Sequence, residues 1–167
     1  MKQILILNTG SSSIKFKLFG IKDKKNLDII KEGKIDRIGS AHGPQNHIAA
    51  LSMLFQGFGL GPSFLYKIPD LVAIGHRVVH GGDKYNKTTL LNKNILKDLK
   101  KYNLLAPLHN PPILDVIGSI LRASDRKDHR IIPNFAVFDT AFYKNLPDIS
   151  KIYPLPYYFY KEHKGQP

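Results

Sequence analysis

Residues 4–19 constrain the fold more than any other part of the chain. Ile4-Leu5-Ile6-Leu7 is an unbroken apolar run of strand length. Asn8-Thr9-Gly10-Ser11-Ser12-Ser13 is a small polar turn, and Ile14-Lys15-Phe16-Lys17-Leu18-Phe19 alternates apolar and basic side chains. A short apolar run reads as a buried strand, and strict alternation reads as a strand with one wet face. The spacing therefore predicts paired antiparallel strands over Ile4–Leu7 and Ser13–Phe19. The turn between them offers hydroxyls and backbone N–H groups to an anion, with Lys15 close behind. It is not a Walker A loop, because the spacing differs and a strand rather than a helix follows. By itself the turn is weak evidence, since Gly and Ser cluster in ordinary hairpins. Lys15 is equally well read as one exposed lysine on an alternating strand.

The rest of the chain alternates strands and helices. Asp23 to Asn26 reads as a turn and Leu27–Ile35 as a third, polar-faced strand. Gly39 to Gln45 is loop. Asn46–Phe55 reads as a helix with Ile48, Leu51 and Leu54 or Phe55 on one face, and Gly57 to Pro62 as a second loop. Leu71–Ile74 is a buried strand entering Gly75-His76-Arg77-Val78-Val79-His80-Gly81-Gly82. Asn92–Tyr102 has the pattern of a short amphipathic helix. Asn110-Pro111-Pro112 opens another, with Asn as N-cap and Pro at the first helical positions. Leu114, Ile117, Ile120 and Leu121 mark its buried stripe. Arg130–Phe138 is the last clear strand, and Pro133 defers regular pairing until after it. Tyr153-Pro154-Leu155-Pro156-Tyr157-Tyr158 predicts an extended segment. Three strands, helix, strand, helices, strand is the order of an α/β domain with a mixed sheet. The polar clusters fall at strand ends, where open sheets place ligands.

Composition narrows the ligand. A chain of 167 residues suggests one domain with a real core. It contains no cysteine, which excludes disulfides and thiolate zinc sites and suits a reducing, cytoplasmic setting. The polar turn begins too near residue 1 for a signal peptide. No apolar run reaches the roughly 18 residues of a membrane span, so no membrane partner is expected. Net charge is +12, which points to an anionic ligand. The charge is spread out, apart from Lys22, Lys24, Lys25 and Lys97, Lys100, Lys101. No aromatic-basic interleaving of an RNA-binding kind is present. Small phosphorylated ligands are therefore expected in preference to nucleic acid.

Five further residues are candidates to carry chemistry. Arg77, among apolar neighbours, suits bidentate capture of a carboxylate or phosphate. The alternative is a structural salt bridge to an acid such as Asp83. His76 and His80 on one strand would lie roughly 13 Å apart at about 3.3 Å per residue, too far to share an ion. His109 precedes a helix start, where anions are favoured, or is a loop histidine bonded to backbone. Asp139 ends an apolar strand and suits a magnesium shell, or it caps the next turn. Lys, Arg, His, Asn and Asp at successive strand ends share the theme of an anion-plus-magnesium site.

Four ordered segments carry a resemblance: Asn8-Thr9-Gly10-Ser11-Ser12-Ser13-Ile14-Lys15, Gly75-His76-Arg77-Val78-Val79-His80-Gly81-Gly82, Ala106-Pro107-Leu108-His109-Asn110-Pro111-Pro112 and Phe138-Asp139-Thr140-Ala141-Phe142. The chain resembles the acetate kinase family, within the sugar kinase and actin superfamily. The Tyr153–Tyr157 stretch is also similar. The resemblance implies a ribonuclease H-like (actin-like ATPase) α/β fold with a mixed sheet flanked by helices. It implies transfer of the ATP γ-phosphoryl to acetate, giving acetyl phosphate and ADP, and the reverse, with Mg²⁺ or Mn²⁺. Position by position, Asn8 is the metal-associated residue, and Lys15 with Ser11 and Ser13 meets nucleotide phosphate. Arg77 binds the carboxylate, Val79 and Leu108 line the methyl pocket, and His109 lies at the substrate. Asp139 takes the catalytic position.

The resemblance also implies what this chain does not encode. Family members continue past the Pro-Tyr segment into a Gly-Phe-His-Gly motif and a second domain. Here Lys161-Glu162-His163-Lys164-Gly165-Gln166-Pro167 closes the sequence, and His163 lacks that motif's context. Residues 1–167 are thus expected to be the N-terminal acetate kinase-like domain, with the C-terminal nucleotide-binding domain missing and the chain inactive alone. Its partner would be that C-terminal half or a second copy. The alternatives are one piece of a split kinase, or a non-catalytic carboxylate- or phosphate-binding fragment anchored by Arg77.

Overall fold

A computed structural model describes residues 1–23, 26–56, 68, 70–124, 131–147, 150, 156–158 and 162. The expected loop over 57–62, part of the 23–26 turn and the first half of the 153–158 segment lie outside the described residues, as does His163. Of that last segment, Tyr157 and Tyr158 are helical rather than extended.

The strands are β1 (Gln3–Thr9), β2 (Ile14–Ile21), β3 (Leu27–Ile35), β4 (Leu71–Val78), β5 (Thr89–Leu90) and β6 (Asn134–Phe138). They form one mixed sheet in the order β3-β2-β1-β4-β6-β5. β1 and β2 are antiparallel as expected, with Leu5 opposite Leu18, Leu7 opposite Phe16 and Asn8 opposite Lys15. β1, β4 and β6 run parallel side by side. Pairing of β6 starts just past Pro133, whose carbonyl accepts from the Ile74 N–H. β3 lies at the sheet edge and carries Asp28, Lys31, Glu32 and Lys34, charges of the kind that discourage pairing with other chains. The two-residue β5 was not expected.

Helices α1 (His47–Gln56), α2 (Lys93–Leu99) and α3 (Asn110–Ser124) pack on one face of the sheet. Asn46 caps α1 by accepting from the Ala49 N–H, and Asn92 caps α2 by accepting from the Ile95 N–H. The helix expected to reach Tyr102 turns into a 3₁₀ segment at Lys100–Leu105. In α1 the buried residues are Ala50, Leu51, Leu54 and Phe55. Ile48 sits at the edge of that stripe and is exposed.

Alternation divides the sheet. Leu5, Leu7, Ile14, Phe16, Leu18 and Ile74 bury against α1 and α3. Val78, Ala136 and Phe138 bury against α2 and α3 with Leu99, Ile113, Leu114 and Ile117. On the opposite face Ile6 and Val137 stay exposed. Among the described residues the mixed sheet is thus flanked by helices on one face, not both. The α/β class expected from the sequence is the class observed.

Candidate active site

Parallel neighbours end together, and their last open-face residues meet. Arg77 is not beyond its strand, as the sequence suggested, but inside β4, opposite Val137 of β6. Leu7 of β1 lies opposite His76, so Asn8 falls beside Arg77. Asp139 follows β6 directly and opens a short 3₁₀ turn. The Arg77 Nε–H donates to Asp139 Oδ1 at 2.9 Å and Oδ2 at 3.1 Å, and Nη2 donates to Oδ2 at 2.6 Å. Nη1 donates to Asn8 Oδ1 at 3.2 Å. The partner of Arg77 is therefore Asp139, not Asp83. The hydrogen bonds to Asp139 raise the guanidinium pKa further above its already high value.

Lys15 stands beside this group. It lies opposite Asn8 on one side and Lys34 on the other. Lys17 pairs with Glu32 and Lys34 with Asp36, whereas Lys15 has no ion pair among the described residues. Ile6, Asn8, Lys15, Lys17, Glu32 and Lys34 line a shallow groove along this face.

The polar turn is built differently from the expectation. The Gly10 N–H is not open to an anion: it donates to the Ser13 carbonyl at 2.7 Å. The Gly10 carbonyl is held by His47 Nε2 at 2.8 Å, and the Ser12 carbonyl accepts from the Ile38 N–H. Ser11 is exposed and Ser13 half-buried. His47 was not singled out from sequence, although its place just after the Asn46 cap sets it near the turn.

The expected pocket residues lie on the chain leaving β4 and on the loop before α3. Val79 is half-buried and packs on the second core cluster. Leu108 is 74% exposed, and His109 is exposed with no hydrogen bond to Arg77 or Asp139 among the described residues. The His109 carbonyl accepts the first helical bond of α3, from the Ile113 N–H, so His109 rather than Asn110 is the N-cap residue. Asn110 is fully buried and does something else. Its Oδ1 accepts from the His80 N–H at 3.2 Å, and its Nδ2 donates to the His80 carbonyl at 2.9 Å. The loop carrying Leu108 and His109 is thereby clamped to the chain leaving β4.

Behind the site, His76 is buried and Asn134 holds its ring. Asn134 Nδ2 donates to the Ile132 carbonyl, so its Oδ1 faces His76 Nε2 as acceptor, at 2.8 Å. Burial lowers the His76 pKa to about 4. The His80 Nδ1 accepts from the Gly82 N–H. Gly82 has φ +60° and lies so close to Tyr102 that a Cβ would strike the ring.

The donor set fits a magnesium ion. Asn8 Oδ1 and both Asp139 oxygens already converge on one cation, the guanidinium. They are hard oxygens, one amide and one carboxylate, and Mg²⁺ takes one or two carboxylates with waters and phosphate oxygens. Among the described residues no group of three or more His, Cys, Asp and Glu gathers to hold a metal. No described helix is long and apolar enough to cross a membrane.

Comparison with known proteins places the chain in a family. The sequence profile of the acetokinase family matches residues 3–165. The acetate kinase of Helicobacter acinonychis is 38% identical over 97% of this chain and 43% of its own length. That of Buchnera aphidicola is 39% identical over 96% of this chain and 42% of its own. The crystal structure of Porphyromonas gingivalis acetate kinase superposes with a TM-score of 0.74 at 27% identity, covering 98% of this chain and 44% of that one. A propionate kinase from Francisella tularensis superposes at 0.65 with 30% identity, covering 98% and 44%. The chain spans about two fifths of the length of the curated relatives it matches. On sequence and fold alike, the chain belongs to the acetokinase family.

Proposed function

We propose that this chain forms one wall of an acetate kinase-like phosphotransferase site, which moves the γ-phosphoryl of ATP to a short carboxylate such as acetate. The observation that carries the reading is the meeting of Asn8, Arg77 and Asp139 at three adjacent strand ends. Residues 1–167, which span about two fifths of the length of the acetate kinases they match, are proposed as its N-terminal domain. A cytoplasmic setting belongs to the same proposal.

Arg77 takes the acceptor carboxylate, Lys15 with Ser11 and Ser13 faces nucleotide phosphate, and Asn8 and Asp139 hold Mg²⁺. When bound, Mg²⁺ supplies charge neutralisation for the phosphates. Acetate is ionised at neutral pH, so Asp139 need not act as a base toward it. Two anions must be brought together, and positioning with electrostatic stabilisation is the main task in phosphoryl transfer. Arg77 and Lys15 supply the positive charge for it. Val79, Leu108 and His109 are proposed as the acid's surroundings, on the loops that Asn110 joins. Length selection is weak, because each methylene is worth only about 0.8 kcal/mol of burial.

The test has two parts. Calorimetry with sodium acetate should show binding to the wild type and none to Arg77→Ala; equal heats would remove Arg77 from the site. A coupled assay should show no acetyl phosphate formation by the chain alone. ATP- and acetate-dependent turnover above a Lys15→Ala control would overturn the assignment to one incomplete wall.

A further inference from the structure

The edge of Arg77 best suited to a carboxylate is already taken. A carboxylate binds a guanidinium most tightly through two parallel N–H groups, and the Nε and Nη2 donors are both spent on Asp139. Nη1 is turned to Asn8. An incoming anion therefore meets an arginine that the protein has occupied with its own carboxylate. If Asp139 kept its charge uncompensated nearby, that charge would also repel the anion.

The same oxygens are those that fit a divalent cation. We propose that Asn8 and Asp139 form an internal occupant of Arg77, which couples the two ligands of this site. When Asn8 and Asp139 turn to a divalent cation, Arg77 is released to take a carboxylate or phosphate. This rests on the assignment of Arg77 as the anion residue and deepens it: cation and anion bind cooperatively, each raising the affinity of the other by the same factor. The Arg77 and Asp139 side chains are 45% and 39% exposed. Ion pairs at such exposure are weak, so the exchange lies within reach of ordinary ligand concentrations.

The coupling is read by binding and by NMR, without turnover. In the full 167-residue chain, the Arg77 Nε–H resonance is assigned by its loss in Arg77→Lys. Magnesium chloride alone should shift that resonance in the wild type and not in Asp139→Asn. Calorimetry should show acetate binding roughly tenfold more tightly with Mg²⁺ than without, within the usual range of coupling between sites. In Asp139→Asn, acetate should bind more tightly than to wild type without Mg²⁺, and Mg²⁺ should add nothing. Asp139→Ser, with circular dichroism melts of each variant, repeats the comparison should the amide disturb the fold. Mg²⁺-free acetate affinity in both variants equal to or below wild type would overturn the coupling. If acetate binding also persists in Arg77→Ala, the underlying anion assignment falls with it. If Arg77→Ala alone loses binding, the assignment stands and only the coupling is lost. No acetate binding by wild type or variant, with or without Mg²⁺, overturns both.

Discussion

His76 Nε2 donates to Asn134 Oδ1 at 2.8 Å on the covered face of the sheet, one residue from Arg77 in β4. The bond ties β4 to β6 on the buried side, while Arg77 and Asp139 tie them on the open side. Two strands are thus pinned from both faces at the place where the functional side chains must line up.

That buried ring makes stability depend on pH. The folded pKa of His76 lies at about 4, below its ordinary 6.5, so the unfolded chain binds the proton first. Stability should fall as pH drops from about 6.5 toward 4, by up to about 1.4 kcal/mol per unit. Urea midpoints for wild type should decline between pH 7 and pH 5. His76→Gln, which cannot titrate, should decline less; parallel curves would show that His76 does not carry the effect.

Arg77→Ala separates the site from the fold. Its ion pair is exposed, and such pairs contribute about 0–1 kcal/mol. The variant should keep its denaturation midpoint within that range while losing acetate binding. A loss of several kcal/mol would mean that the Arg77–Asp139 pair serves mainly as a structural clasp.

Asn110 predicts the opposite balance. Removing its amide leaves the His80 N–H and carbonyl without this partner in a half-buried setting. Leaving such groups unpaired costs about 1–3 kcal/mol. Asn110→Ala should lower stability by that order and speed hydrogen exchange at the His80 amide. Unchanged exchange there would rule out the clamp. Asn110→Asp keeps the acceptor but not the donor, and should fall between the two.

Much of this was legible in residue order, and the limits were physical. The alternation of Lys15 and Lys17 with Ile14, Phe16 and Leu18 fixes which face is wet, and so fixes the hairpin register. Asp139 was visible as a carboxylate ending an apolar strand. The partner of Arg77 was not, because Asp83 is near in sequence whereas Asp139 is 62 residues away. His76 and Asn134 are 58 residues apart, beyond any local pattern. Asn110 misled for a different reason: an amide before two prolines has the chemistry of a cap, and the same chemistry serves a long-range bridge. β5 has only two residues, too few for a period.

A second pH window should open below the first. Asp98 in α2 accepts from Lys101, from Lys84 and from the Tyr85 hydroxyl. Lys84 and Tyr85 follow β4, so this carboxylate joins α2 to the chain leaving the site. Hydrogen bonds from Lys101 first, then Lys84 and Tyr85, hold its pKa well below the ordinary 3.8. A lowered carboxylate pKa stabilises the fold above the unfolded value, and that contribution is lost as pH falls below it. Asp98→Asn should therefore be less stable than wild type at pH 7 and at pH 5 alike, and the two should converge only below 3.8. High salt should narrow the gap, since Lys84 and Lys101 are solvent-exposed. The His76 effect develops between 6.5 and about 4, so urea titrations at pH 7, 5 and 3 resolve the two groups. A gap between Asp98→Asn and wild type that closes already by pH 5 would assign the stabilisation to some other group than Asp98.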